Sequence, residues 1–331
     1  MARIFLSFTP GARANYYGDK ALAGLRALGE VRLNERDQPL DAAALAAAAE
    51  GCNVIVSDRA TAAPAELFAA CPQLAVFQRC AMDIRNIDVA AASAHGVLVT
   101  HASAGFITAV AEWVFGALID VARGISSSVV DYRSGRSPPP VMGRELRGST
   151  IGVIGYGQIG RRVCNLGLAF GMRVLVADPV ARVDDAALTQ TSLDELLAAA
   201  DHVVCLAPAL PSTENMLDSQ RFSQMKPGAV FVNASRGNLV DEAALLDALD
   251  SGRLAGCALD VGRAPDQMPS PELARHPLVV ATPHIGGLTP PAVEHQALET
   301  VAQLGELLRG GMPIGAVNAE HASRLQALRS R

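Results

Sequence analysis

The chain has 331 residues, half of them apolar, with 29 glycines, 4% aromatic residues and a net charge of −5. That length fits two domains with ample core, and an acidic balance without a basic block argues against a nucleic-acid partner. No apolar run reaches membrane-spanning length and the N-terminal apolar stretch is too short for a signal peptide, so no membrane partner and a cytoplasmic location are expected. Cys52, Cys71, Cys80, Cys164, Cys205 and Cys257 show no C-x-x-C spacing and read as small buried residues in a reducing compartment.

Residues 1–100 carry a strand–helix rhythm. Strands are predicted at Ile4–Phe8, Val31–Leu33, Val54–Ser57, Leu74–Phe77 and Val97–Thr100. Between them, Lys20–Leu28 and Asp41–Glu50 read as helices, the second with Asp41 as N-cap. This alternation predicts a parallel sheet covered by helices. Residues 106–124 form one long helix, apolar nearly all round, which suits a domain core and a subunit interface equally. Residues 134–148, with three prolines and three glycines, read as a loop.

The most informative stretch follows. Ile151–Ile154 is a buried strand, Gly155, Gly157 and Gly160 form G-x-G-x-x-G, and Ile159, Val163, Leu166 and Phe170 recur at helical spacing. Met172–Ala177 is a second strand ending at Asp178. Gly155 permits the tight turn, Gly157 lets a pyrophosphate approach the backbone, and Gly160 lets helix and strand pack closely. The helix N-terminus holds the diphosphate. Asp178, 18 positions after Gly160, is placed to accept the ribose hydroxyls and to repel a 2′-phosphate, which favours NAD over NADP. The βα rhythm then continues: a helix at Ser192–Ala199 with a capping box, strands at His202–Leu206, Ala229–Asn233, Gly256–Val261 and Leu278–Ala281, and a last long helix near Pro291–Leu308. Residues near 319–331 read as a surface helix or a frayed tail.

Three polar residues follow strands where doubly wound sheets bind ligands: Arg236, Asp260 and His284. A guanidinium can bind a carboxylate and polarise the neighbouring carbonyl, and an imidazole can exchange the hydroxyl proton near neutral pH. With a nicotinamide to carry the hydride, this set suits redox chemistry on a hydroxy or oxo acid. His95 reads as a helix C-terminus residue. His101, His202, His276, His295 and His321 show no metal-ligand spacing, so no metal is expected.

Asn233-Ala-Ser-Arg236-Gly237-Asn-Leu-Val-Asp241-Glu242 resembles the N-x-x-R-G-x-x-V-D-E of the D-isomer-specific 2-hydroxyacid dehydrogenases, and Thr282-Pro-His284-Ile-Gly-Gly287 resembles their T-P-H-I-x-G. Asn86-Ile-Asp88 and Val110-Ala-Glu112 are similar to two further family motifs, so the resemblance spans nearly the whole chain. It implies two doubly wound α/β domains: a Rossmann NAD domain, 103–285, inserted into a flavodoxin-like substrate domain, 1–102 and 286–331, with the ligands in a cleft between them. It further implies that helix 106–124 is a homodimerisation element, that Arg236 anchors the substrate carboxylate, and that His284 is the acid/base. Gln158 and Ile159 would touch the diphosphate, Ala207 and Pro208 the adenosine side, and Asp260 the nicotinamide carboxamide. Ala234, Ser235 and Gly287 complete the expected cofactor contacts.

Two departures stand out. In the family's D-V-x-x-x-E-P segment the Glu that pairs with the histidine is replaced here by Pro265, and the neighbouring Asp266 is the candidate substitute. The family's Gly-rich carboxylate loop is Arg79-Cys80-Ala81-Met82-Asp83 here. Arg79, Met82 and Asp83 are the expected substrate contacts, with Arg79 offsetting the Asp83 charge. The function expected is NAD-dependent interconversion of a small 2-hydroxy acid and its 2-oxo acid. A non-catalytic NAD(H)-sensing protein is the alternative, and an NAD-using hydrolase finds no support in the spacing.

Overall fold

The computed structural model describes residues 2–329, without the side chains of Asp266, Ala327 and Arg329. The chain divides into two compact units. One runs to Gly105 and resumes at Thr289; the other is the continuous segment Phe106–Leu288.

The first unit is built on five parallel strands: β1 (Ala2–Leu6), β2 (Gly29–Leu33), β3 (Val54–Ser57), β4 (Val76–Arg79) and β5 (Leu98–His101). Their order, β2-β1-β3-β4-β5, is that of a doubly wound sheet. Both faces are covered, and the strands show why: Ile4 and Leu6 enter one apolar cluster while Phe5 between them enters the other. Asp41 caps the helix Ala42–Ala48 through the Ala44 amide, and His95 closes the helix Val89–Ala94. The returning segment is integral to this core. Helix Pro290–Leu308 buries Ala297, Leu304 and Leu307 in the same cluster as Ile4 and Leu25. Asn318 then pairs with β5, accepting from the Val99 amide at 2.8 Å and donating to the Val97 carbonyl at 3.0 Å. A short helix, Leu325–Arg329, follows with Leu325 and Leu328 buried, so the expected tail is docked as far as Arg329, while Ser330 and Arg331 lie outside the described residues.

The second unit has seven parallel strands: β6 (Thr150–Ile154), β7 (Arg173–Ala177), β8 (Thr189–Gln190), β9 (His202–Cys205), β10 (Ala229–Asn233), β11 (Leu254–Leu259) and β12 (Val279–Ala281). Their order is β12-β11-β10-β9-β6-β7-β8. The chain runs outward from β6 to β7 and β8, then crosses to β9 on the other side. The switch point therefore lies between β6 and β9, where such sheets open a crevice. The capping box predicted at Ser192 forms with Glu195.

The apolar helix spans Ile107–Arg123 and is largely absorbed by its own unit. Val110, Ala111, Val114, Phe115 and Leu118 are buried, and the helix packs on the helix Gln158–Ala169. Gly124 turns left-handed at φ +62°, the Asp120 carboxylate takes the Ser126 amide at 2.7 Å, and a second helix, Ile125–Arg133, leaves at 67°. Exposed apolar side chains follow on that second helix and the loop after it: Val130 is 57%, Tyr132 68% and Met142 96% exposed. No single helix among the described residues is long and apolar enough to cross a membrane.

Candidate functional site

At the carboxyl end of β6, Gly155 adopts φ +99°, a conformation that L side chains avoid, and turns the chain into the helix Gln158–Ala169. A Cβ on Gly160 would lie 2.1 Å from the Gly155 carbonyl oxygen, so only glycine allows helix and turn to close up. Gly157 is the opposite case: a Cβ there would meet nothing within 4 Å. It is the helix N-cap, and no side chain caps the first turn, so the amides of Gln158 and Ile159 are left for a ligand. A close backbone joint beside open space at a helix N-terminus fits a dinucleotide diphosphate.

Asp178, at the end of β7, accepts the amides of Tyr156 at 2.7 Å, Val180 at 2.8 Å and Ala181 at 2.7 Å. Partial burial pushes this carboxyl up, but the three amides and the nearby Arg161 outweigh it and hold it below the usual carboxylate range. It is therefore a fixed anion that braces the glycine turn, with lone-pair capacity left toward a ribose.

The loops beyond β9, β10, β11 and β12 are stitched into one rim. Ser235 Oγ donates to the Ala207 carbonyl at 2.5 Å, tying the β10 loop to the Ala207-Pro208 loop. Asn233, fully buried, accepts the Ser235 amide at 3.1 Å and donates to the Arg236 carbonyl at 2.9 Å, which fixes the backbone on either side of Ala234. The half-buried Arg236 donates through Nη1 to the Ser235 carbonyl at 2.7 Å. Gly237 lies against the segment after β11: a Cβ there would sit 2.1 Å from the Gly262 carbonyl group.

Asp260, on that same segment, is 4% exposed and serves the loop after β12. Its Oδ1 accepts the Thr282 hydroxyl at 2.6 Å and the Ile285 amide at 2.8 Å, and its Oδ2 accepts the Gly286 amide at 2.7 Å. These donors bracket His284, which is held at φ +56°, a left-handed conformation uncommon for a non-glycine residue. Gly287 packs against Phe106. The loops bearing Arg236 and His284 are thus both fastened to Asp260–Gly262.

Sequence reasoning passed over Arg263. Its Nη2 reaches Glu214 at 2.9 Å and Asn215 at 2.5 Å, its Nε the Val240 carbonyl at 3.2 Å, and its amide the Glu242 carboxylate at 3.0 Å. It pins the stretch that leads from Gly262 to Asp266. Those partners lie 21 to 49 positions away, so no local pattern announces them. Asp266 belongs to the turn Pro265–Gln267, and its side chain lies outside the described residues.

In the other unit, the predicted substrate loop follows β4. Arg79 has no exposed surface: Nη2 donates to the Thr61 carbonyl at 2.7 Å and to Asn86 Oδ1 at 2.8 Å, and Nη1 to the Asp58 carbonyl. Burial lowers its guanidinium to about 10, against the opposing pull of Asp58 and Asp83. Arg79 therefore acts as a strut beneath the loop, not as a surface group for a ligand. Asp83 forms an ion pair with Arg85 at 2.6 Å and also acts electrostatically on Arg79. Met82 is exposed. Among the described residues, no group of His, Cys, Asp and Glu is placed to hold a metal.

Glycine turn, uncapped helix and acid-terminated β7 define a dinucleotide-binding Rossmann unit. The model of the D-isomer specific 2-hydroxyacid dehydrogenase NAD-binding domain matches residues 115–286. Over 288 residues the chain is 35% identical to D-3-phosphoglycerate dehydrogenase of Rattus norvegicus, covering 86% of this chain and 54% of that protein. The solved TT0316 protein of Thermus thermophilus superposes with a TM-score of 0.84 at 32% identity, covering 95% of this chain and 99% of that one. D-lactate dehydrogenase with NAD+ from Lactobacillus jensenii superposes with a TM-score of 0.81 at 25% identity, covering 96% and 99%. The chain belongs to the D-isomer specific 2-hydroxyacid dehydrogenase family, and its cofactor is NAD. It spans about half the length of the curated relatives it matches.

Proposed function

We propose that the chain is an NAD-dependent oxidoreductase that interconverts a small 2-hydroxy acid and its 2-oxo acid: 2-oxo acid, NADH and a proton yield 2-hydroxy acid and NAD+. The observation that carries this reading is the shared fastening of the Arg236 and His284 loops to Asp260–Gly262. When bound, the nicotinamide gives or receives the hydride. Gln158 and Ile159 hold the diphosphate by their amides, Asp178 takes the ribose, and Ala207, Pro208, Ala234, Ser235, Asp260 and Gly287 line the remaining path of the cofactor. Arg236 binds the acid's carboxylate and draws electron density from the adjacent carbonyl oxygen. His284 delivers the proton to that oxygen in reduction and removes it in oxidation. Asp266 stands in for the carboxylate that Pro265 displaces.

The protein works as a homodimer in the cytoplasm. Its six cysteines are free and buried, as a reducing compartment allows. The dimer surface is the helix Ile107–Arg123 that the sequence pointed to, extended by the exposed apolar helix Ile125–Arg133 with Val141 and Met142. The test of activity is a panel of 2-oxo acids with NADH, followed at the nicotinamide absorbance band. Oxidation of NADH by at least one acid, abolished in Arg236→Ala, is the expected result. Silence across the panel despite tight NADH binding would exclude an oxidoreductase and leave an NAD(H)-binding protein.

A further inference from the structure

Arg236 is carried by a short loop after β10. Asn233 fixes the backbone before it. The backbone beyond it is fixed by Arg263, which follows β11. Arg263 Nη2 donates to the Asn238 carbonyl at 3.1 Å and to the Val240 carbonyl at 3.2 Å, and Nε meets the same Val240 carbonyl at 3.2 Å. Asn238 lies in the turn Gly237–Leu239, directly after Arg236, and Val240 ends that turn. The Arg263 amide donates to the Glu242 carboxylate at 3.0 Å, where the helix Glu242–Asp250 begins. Gly237 also packs its backbone on Gly262, next to Arg263, so the brace acts where the two segments touch.

A third segment, beyond the Ala207-Pro208 loop, joins the same cluster. Glu214 Oε1 accepts Arg263 Nη2 at 2.9 Å, and its Oε2 accepts Asn238 Nδ2 at 2.9 Å. Asn215, left-handed at φ +50°, offers its side-chain oxygen to Nη2 at 2.5 Å. The amides of Asn215 and Leu217 donate to the Asn238 and Leu239 carbonyls at 2.9 Å and 3.0 Å, so the two loops run side by side. Nη2 carries two hydrogens and sits among these acceptors as the centre of a cluster, not as one end of an isolated pair. That difference decides its role. The Arg263 and Glu214 side chains are 36% and 45% exposed, and an ion pair so placed adds little to stability. Without the brace, those carbonyls can turn to water. The fold should then survive while the loop gains freedom.

We propose that Arg263 is the positioning residue for Arg236. It fixes the backbone beyond Arg236 as Asn233 fixes the backbone before it, and so sets the direction of the carboxylate-binding fork. A guanidinium grips a carboxylate through two parallel N–H bonds, a geometry that fails when the plane tilts. A misplacement of about 1 Å in an orienting group can cost about a hundredfold in rate. This inference rests on the oxidoreductase reading, and its test separates the two.

The variants are Arg263→Gln, Arg263→Lys and Glu214→Gln. For a 2-oxo acid that the wild type reduces, Arg263→Gln should raise KM by about tenfold, with the dissociation constant for NADH within about threefold. Arg263→Lys keeps the charge toward Glu214 and loses the two-nitrogen grip on the Val240 carbonyl, so it should recover only part of the loss. Glu214→Gln leaves the backbone contacts of Arg263 in place and should raise KM by a few-fold at most. KM unaltered in a folded Arg263→Gln, or NADH affinity lost in step with KM, would overturn the positioning role and leave the oxidoreductase reading intact. If Arg263→Gln does not fold, Arg263→Lys is read in its place, and an unaltered KM there has the same meaning. Calorimetric titration of oxamate, an unreactive mimic of a 2-oxo acid, into the NADH-loaded protein covers the case in which no acid turns over. Oxamate affinity that falls about tenfold in Arg263→Gln would then keep the positioning role while the oxidoreductase reading fails. Oxamate affinity untouched by the variant, or no oxamate binding by the wild type, would overturn the positioning role as well.

Discussion

Asp260 holds the amide of Gly286 at 2.7 Å, two residues beyond His284, while its other oxygen holds Thr282 and Ile285 on either side. The carboxylate is thus the mould for a strained turn. Asp260→Asn keeps the volume but replaces one acceptor oxygen with a donor, leaving a backbone amide of the turn unpaired. Such a loss costs about 1–3 kcal/mol, and the turn should relax. The expected result is a fall in kcat of about tenfold or more, measured by steady-state kinetics at saturating NADH. Unchanged kcat would show that His284 needs no such mould.

The glycines of the turn separate fold from ligand. At Gly157 an added Cβ meets open space, so Gly157→Ala should keep Tm within about 2 °C and yet weaken NADH binding. At Gly160 an added Cβ overlaps the Gly155 carbonyl oxygen, so Gly160→Ala should lower Tm markedly and weaken NADH as well. Calorimetric melting and NADH titration of both variants check this. Equal effects on Tm would show that Gly157 is a packing residue.

Asp178 is a braced anion beside the expected ribose. Asp178→Ser removes the charge that repels a 2′-phosphate, so the preference for NADH over NADPH should fall by about tenfold or more, read as the ratio of dissociation constants. Three backbone amides lose a charged acceptor, so a lower Tm should accompany the switch.

His202 is buried on β9 with its pKa lowered, first by burial and then by Arg144 and Lys226, against the pull of Asp201. The folded protein keeps this imidazole neutral while the unfolded chain protonates it near its ordinary value of 6.5. Between that value and the lower folded one, the unfolded state binds more protons. Stability therefore rises with pH across the window and is lost as pH falls below about 6.5. His202→Gln should flatten this part of the stability–pH curve, as followed by urea denaturation. An unchanged slope would assign the acid sensitivity elsewhere.

Val130 and Tyr132 lie on the exposed apolar helix. If that helix is the dimer surface, a Val130→Glu, Tyr132→Glu double variant should sediment as a monomer with the fold intact by circular dichroism. A dimer that survives both charges would place the contact on another surface.

Much of the second unit was legible because its signals are local. The strand, three glycines, helix and terminal acid fall within 28 consecutive residues, and each part has its own steric or electrostatic need. The motif residues Asn233 and Gly237 were legible only as a pattern; their tasks, a buried amide gripping the Arg236 carbonyl and a backbone touching Gly262, needed the fold. The helix Ile107–Arg123 shows the limit of periodicity. An apolar circumference says that burial is required, not which molecule supplies it, and Phe115 and Leu118 find it in their own unit. Arg79 shows another limit. A cation in a strand-end loop reads as a ligand contact until its carbonyl partners at Asp58 and Thr61 are seen. The bidentate pairing of Asp83 with Arg85, only two positions away, escaped because their backbone between strands follows no regular period.

The first unit is interrupted in sequence, and this sets an order on its maturation during translation. Phe106–Leu288 is continuous and can close as soon as it has left the ribosome. The residues up to Gly105 emerge earlier but must wait, because Ala297, Leu304, Leu307, Leu325 and Leu328 complete the cluster around Ile4 and Leu6. The core of the segment synthesised first is therefore completed last, and until then β5 is an edge strand without the Asn318 stretch that pairs beside it.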